Sequence, residues 1–220
     1  MRIALCGGTG DIGEGLALRW AYHTNHDVVV GSRDAERAET KAREYETELD
    51  SRAVETTIEG ASNADAADGA DVVVLAVPAY HLADTIEAIS DGLEGVLVSP
   101  AVGMRGDDAG LHYNPPGAGS VTALAANAAP EGVPVVGAFH NLAAGRLANL
   151  DADLDWDTVV VGDDPDAKEL VSRLAADIDG LRPLDGGPLA NASEVESLTA
   201  LLINVARYND DLHDLGVKFW

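Results

Sequence analysis

Six residues, Gly8-Thr9-Gly10-Asp11-Ile12-Gly13, have the spacing of a glycine-rich turn that can wrap a phosphate group. The apolar run Arg2–Cys6 precedes them, short enough for a buried parallel strand. Leu16, Ala17, Trp20 and Ala21 follow at helical spacing. In this strand–turn–helix setting the pattern signals dinucleotide binding. Gly8 is expected to make the tight turn, Gly10 to let the backbone approach a pyrophosphate, and Gly13 to bring helix and strand close. The helix N-terminus then offers its free N–H groups to the anion. A second strand, Asp27–Val30, ends in Gly31-Ser32-Arg33, with Arg37 one helical turn later. Proteins that choose NAD place an acidic residue near this position, whereas arginine accommodates a 2′-phosphate. Arg33, Arg37 and the Ser32 hydroxyl therefore favour NADP. Asp34 is the competing ribose ligand, but its position suits it better to cap the next helix.

Elements that could position these groups follow one another along the chain. A charged helix is predicted from Asp34 to about Leu49, a strand over Val54–Ile58, and a buried strand over Asp71–Val77 closed by Pro78. A helix over His81–Ser90 and a strand over Gly95–Ser99 come next. Alternating strands and helices predict an α/β fold, a Rossmann-type doubly wound and mainly parallel sheet with a small C-terminal helical extension. Residues 103–119, rich in Gly and Pro, read as an irregular mobile loop. A short helix near 120–128, strands over Pro134–Ala138 and Asp157–Val161, and a helix from Asp164-Pro165 to about Ala176 complete this part. Ser193–Glu196 reads as a capping box. It opens a helix whose Leu198, Leu201, Leu202 and Val205 would form an apolar stripe. Residues 1–185 are expected to form the NADP-binding domain, and 186–220 a small helical segment closing the cleft.

The chain has 220 residues, 38 acidic against 14 basic, and a formal net charge of −24. That charge excludes nucleic acid as a natural partner. At 46% hydrophobic residues disorder is a poor explanation. An acidic, lysine-poor, alanine-rich composition suits a halophilic cytosol, where molar salt screens self-repulsion. No apolar run reaches membrane-span length, no signal peptide is evident, and the single cysteine, Cys6, sits on a core strand. A cytoplasmic location is expected. No cluster of metal-ligand residues is visible.

From end to end the chain resembles the F420H2:NADP oxidoreductases of archaea. The resemblance rests on Gly7–Gly10, Gly15–Arg19, Val28–Arg33, Val98–Pro100 and Arg146–Leu150. More particular to the family are Gly180–Asp185, Gly187–Leu189, Val195–Thr199 and Leu215–Phe219. It implies direct hydride transfer between C4 of the nicotinamide of NADP(H) and C5 of coenzyme F420, a deazaflavin, as co-substrate. It also implies site roles. Thr9, Ser32, Arg33 and Arg37 would surround the 2′-phosphate, and backbone from Thr9 to Ile12 the pyrophosphate. Val77 and Pro78 would lie beside the cofactor. His140, Ser197 and Thr199 would line the hydride-transfer pocket, with Ala138, Phe139, Asn141 and Leu142 against the deazaflavin.

The chain departs from the family pattern at Ser193-Glu194, where an Arg can stand, and at Asp11, often Asn. The region 45–60 is also longer. Two other functions fit the same dinucleotide half: an NADPH-dependent reductase of another small acceptor, and an NADP-binding redox sensor without turnover. The leucine-rich C-terminal helix suggests a homodimer contact.

Overall fold

Strand-forming runs of Val, Ile and Leu alternate with amphipathic helices, and the backbone follows that alternation. A computed structural model describes all of residues 1–220. In chain order the elements are β1 (Arg2–Cys6), α1 (Asp11–His23), β2 (Asp27–Ser32), α2 (Ala35–Asp50), β3 (Ile58–Ser62), α3 (Asn63–Ala67), β4 (Val72–Leu75) and α4 (Leu82–Ile89). Then come β5 (Val96–Ser99), β6 (Met104–Asp107), β7 (Gly110–Tyr113), α5 (Val121–Ala128), β8 (Val135–Gly137) and α6 (Ala144–Ala148). The chain closes with β9 (Trp156–Gly162), α7 (Pro165–Ala176), β10 (Leu181–Asp185) and α8 (Ala192–Arg207).

Eight strands form one sheet in the order β10-β9-β8-β5-β4-β1-β2-β3. The six from β3 to β8 run parallel; β9 is antiparallel to β8, and β10 pairs parallel with β9. This is the expected Rossmann-type architecture. Side chains that alternate along each strand feed two cores, as a sheet covered on both faces requires. Ile3, Leu5, Val28, Val30, Val72 and Val74 pack with α1, α2 and α7 on one face. Ala4, Cys6, Val29, Val73 and Leu75 pack with α3, α4 and α5 on the other. Burial pushes the Cys6 thiol up to about 12, so it acts as a small core side chain.

Local capping matches the residue types. Asp34 caps α2 by accepting from the Arg37 N–H, and Asp164 caps α7 ahead of Pro165. Three expectations are corrected, and one strand is unexpected. The third strand covers Ile58–Ser62 rather than Val54–Ile58. There α2 packs so closely that a Cβ on Gly60 would lie 2.4 Å from the Glu39 backbone, a fit that apolar patterning does not reveal. Residues 104–113 form a regular hairpin, β6–β7. Its support comes from far away. Asn204 of α8 accepts from the Leu111 N–H at 2.9 Å and donates to the Leu111 carbonyl at 2.6 Å, while the Tyr208 hydroxyl donates to the Ala109 carbonyl.

The third correction concerns α8. It starts at Ala192 after Asn191, and the Ser193 hydroxyl donates to Glu194 rather than capping the helix. Its buried face is Ala192, Val195, Glu196 and Ala200, whereas Leu201 is 58% exposed. The leucine stripe is therefore not the core face. Lastly, β10 is a strand that its sequence hides, because Pro183 breaks the pattern; an edge position tolerates the missing N–H.

Candidate functional site

The turn between β1 and α1 opens at Gly7, whose φ of +80° lies in the left-handed region. A Cβ there would stand 2.6 Å from the Ala76 carbonyl oxygen and from Val77 Cγ1. The tight turn thus belongs to Gly7, not to Gly8 as the spacing suggests. Gly13 permits the close packing expected of it, since its Cβ would meet Gly8 Cα at 2.5 Å. Gly10 begins α1 without any side-chain cap, which leaves the first-turn N–H groups for an anion. From α2 the buried Tyr45 hydroxyl donates to the Gly8 carbonyl at 3.0 Å, and the Asn63 side-chain carbonyl accepts from the Gly7 N–H. Two neighbouring elements hold the loop in shape.

A cleft of about 200 Å³ lies at the carboxyl ends of β1, β2 and β4. It brings together Thr9, Gly10, Ser32, Arg33, Arg37, Val77 and Pro78, all singled out by sequence. Gly7, Asn63, Ala76, His81 and Thr85 line it as well. Of these, Gly7 belongs to the glycine run and Ala76 to the apolar run that ends at Pro78, whereas Asn63 and Thr85 enter only because α3 and α4 bring them beside the glycine turn. Ser32 Oγ accepts from the Asp34 N–H at 3.2 Å, so its own proton is free to donate to a ligand. The Asp34 carboxylate is occupied as a helix cap. Arg33 and Arg37 are exposed, and neither guanidinium has a carboxylate within ion-pair distance. Both charges are therefore available to an anion, in a chain whose net charge is −24. Gly8 and Gly13 are buried, Ile12 packs against the larger core, and Asp11 is exposed at the helix start.

Beside this cleft, and sharing Pro78 with it, lies a hollow of about 580 Å³. Tyr80, Val102, Met104, Pro116, Val121 and Leu124 give it an apolar wall suited to a flat ring.

The segment after β8 is placed differently. Phe139 has φ +67°, a strained conformation for a bulky residue. Its ring turns into the core, edge-on to Trp20 at 5.8 Å. Ala138, Phe139, His140, Asn141 and Leu142 are all buried and line neither the cleft nor the apolar hollow. The His140 imidazole is held down to about 3 by burial, hence neutral. Its Nε2 lies 3.3 Å from Thr122 Oγ1, and its Nδ1 has no partner. Thr199 on α8 donates its hydroxyl to the His140 carbonyl at 2.6 Å. Ser197 donates within its own helix, to the Glu194 carbonyl. Ser99 Oγ and Asn141 Oδ1 are also buried without partners.

A family model described as "NADP oxidoreductase coenzyme F420-dependent" matches residues 2–103. The F420-dependent NADP reductase of Methanocaldococcus jannaschii is 39% identical over 209 residues, covering 93% of this chain and 92% of the relative. This chain belongs to that family. The F420-dependent NADP reductase of Methanothermobacter thermautotrophicus is 41% identical over 93% of this chain and 89% of its own length. Among solved structures, a protein from Arthrobacter sp. FB24 superposes with a TM-score of 0.81 at 24% identity, covering 100% of this chain and 99% of that one. A pyrroline-5-carboxylate reductase from Coxiella burnetii shares the fold at a TM-score of 0.55 and 18% identity, over 83% of this chain and 58% of its own. The F420-dependent family and the Rossmann fold are thereby established together.

Proposed function

We propose that this member of the family transfers a hydride between NADP(H) and coenzyme F420. The observation that carries the reading is the unpaired couple Arg33–Arg37 beside a Ser32 hydroxyl with a free proton. Three donors converge there on one end of the cleft, the set that a 2′-phosphate dianion needs. Gly7–Gly13 and the open N-terminus of α1 suit the pyrophosphate, and Val77 and Pro78 lead toward the apolar hollow. When both are bound, the chemistry they would supply is direct hydride transfer between nicotinamide C4 and deazaflavin C5. The chain contributes positioning and exclusion of water rather than acid–base chemistry.

On this reading Thr9, Ser32, Arg33 and Arg37 hold the 2′-phosphate. His140, Ser197 and Thr199 stand behind the hydride-transfer site, with residues 186–220 closing it. What supports the last point is the Thr199–His140 bond, which ties α8 to the end of β8. A homodimer through the outer face of α8 fits the exposure of Leu201 and Ile203 at 58% and 39%. A cytoplasmic, halophilic setting fits the acidic surface. No helix is long and apolar enough to cross a membrane.

The test is bleaching of oxidised coenzyme F420 by NADPH, with NADH as control, at low and at molar potassium chloride. Bleaching by NADPH alone, faster in molar salt, is expected, with the preference lost in Arg33→Ala. NADPH binding without bleaching in any salt would refute the reductase reading.

A further inference from the structure

Glu196 is completely buried in α8, yet no cation faces it. Its carboxylate instead receives four donors. Oε2 accepts from the Tyr113 hydroxyl and the Val121 N–H, and Oε1 from the Thr122 N–H and the Thr122 hydroxyl, each at 2.9 Å. Two of these are first-turn amides of α5, where a carboxylate is favoured by the helix dipole. One side chain thereby joins α8, the hairpin strand β7 and α5.

The consequence lies one bond further on. Thr122 has a single hydroxyl proton, and it goes to Glu196. Its oxygen can then only accept from His140 Nε2, 3.3 Å away. A neutral imidazole that donates from Nε2 carries its lone pair on Nδ1, the atom that is buried and unpartnered here. Gly137 makes room for this contact, since a Cβ there would lie 2.8 Å from Thr122 Oγ1 and 3.0 Å from His140 Cε1. The His140 carbonyl is meanwhile fixed by Thr199, three residues along α8 from Glu196. Both ends of the histidine are therefore set from the same helix.

We propose that Glu196 and Thr122 are positioning residues: through the Thr122 hydroxyl they hold His140 as the Nε2–H tautomer, with Nδ1 as a bare acceptor. Only the kinetic half of the inference rests on the hydride-transfer reading; the tautomer is a property of the protein alone.

The experiment is a two-bond proton–nitrogen spectrum of protein labelled at histidine nitrogen, without ligands, with the His140 signals identified by their absence in His140→Asn. A pyrrole-type Nε2 and a pyridine-type Nδ1 are expected, preserved in Thr122→Ser and lost or mixed in Thr122→Val. An Nδ1–H tautomer in the wild type, or an unchanged spectrum in a folded Thr122→Val, would overturn the proposal. Should Thr122→Val not fold, the wild-type and Thr122→Ser spectra still decide. Kinetically, Thr122→Val is expected to lower kcat for F420 bleaching roughly tenfold, with KM for NADPH within about twofold and Thr122→Ser restoring the rate. A matching rise in KM with kcat unchanged would overturn the positioning role. Absence of bleaching in the wild type would instead count against the proposed function and leave the tautomer result standing.

Discussion

The Tyr45 hydroxyl reaches from the third turn of α2 to the carbonyl oxygen of Gly8, 37 residues earlier, at 3.0 Å and out of contact with solvent. It is the only side-chain bond to that carbonyl, and it holds the middle of the phosphate turn. Tyr45→Phe leaves the oxygen buried without its donor, a cost of about 1–2 kcal/mol. NADPH binding is expected to weaken roughly threefold to tenfold, as a turn less well fixed must be ordered by the ligand. Calorimetric titration with NADPH measures this; an affinity and melting temperature equal to wild type would show that the bond does not shape the site.

Gly7 tests the turn itself. Gly7→Ala places a Cβ at positive φ and against the Ala76 carbonyl. The left-handed conformation alone costs about 1–2 kcal/mol, with the clash in addition. The variant should melt lower and lose the stabilisation that NADPH gives the wild type. Gly10→Ala, whose Cβ would meet only the Gly7 carbonyl oxygen at 3.5 Å, should fold normally. Equal melting of both variants would remove Gly7 from its role.

On β9, next to the β10 edge of the sheet, Asp157 gathers the C-terminal segment. Its buried carboxylate accepts two bonds from Arg182, at 2.8 and 2.7 Å, and one from the Phe219 N–H. The Asp157 N–H donates to the Val217 carbonyl. Asp157→Asn is expected to cost about 2–3 kcal/mol, less than a fully buried pair because Arg182 is half exposed and solvent screens it. Denaturant unfolding gives the energy, and hydrogen exchange should show lost protection at Phe219. Retained protection there would refute the tether.

Acid should weaken the fold through His140. Its ordinary value is 6.5, and burial brings it down to about 3. Between those values the unfolded chain binds a proton that the folded chain refuses. Stability is thus fully present above pH 6.5 and falls as pH drops toward 3, by up to about 1.4 kcal/mol per pH unit. Asp157, whose carboxyl Arg182 holds below the usual range, adds a loss of the same sign further down. Comparing denaturant unfolding of wild type and His140→Asn from neutral to mildly acid pH isolates the histidine. The variant should show the shallower slope, and parallel slopes would contradict this account.

Much of the molecule is legible in its residues because the relevant forces are local. Short continuous apolar runs mark β1, β2, β4 and β5. Asp34 and Asp164 announce the helices they cap, and Ser32, Arg33 and Arg37 share one cleft since they sit within six residues of each other. The hairpin at 104–113 is not legible in the same way. Its Gly-rich strands have little intrinsic preference, and Asn204 and Tyr208 supply the missing partners from the far end of the chain. Ser193–Glu196 misleads for a related reason. Its spacing fits a local cap, but Glu196 faces inward, where two free amides of another helix compete for the carboxylate.

The sequence by itself determined most of the alternation of strands and helices, the place of the phosphate turn and the basic end of β2, all written in neighbours less than about forty residues apart. Only the tertiary structure decided that Gly7 makes the turn, that β9 runs antiparallel to β8, and that Glu196 reaches His140 through Thr122. Each of these depends on groups brought together from distant parts of the chain. Burial leaves them no water to bond, so the fold must pair them with whatever it places alongside.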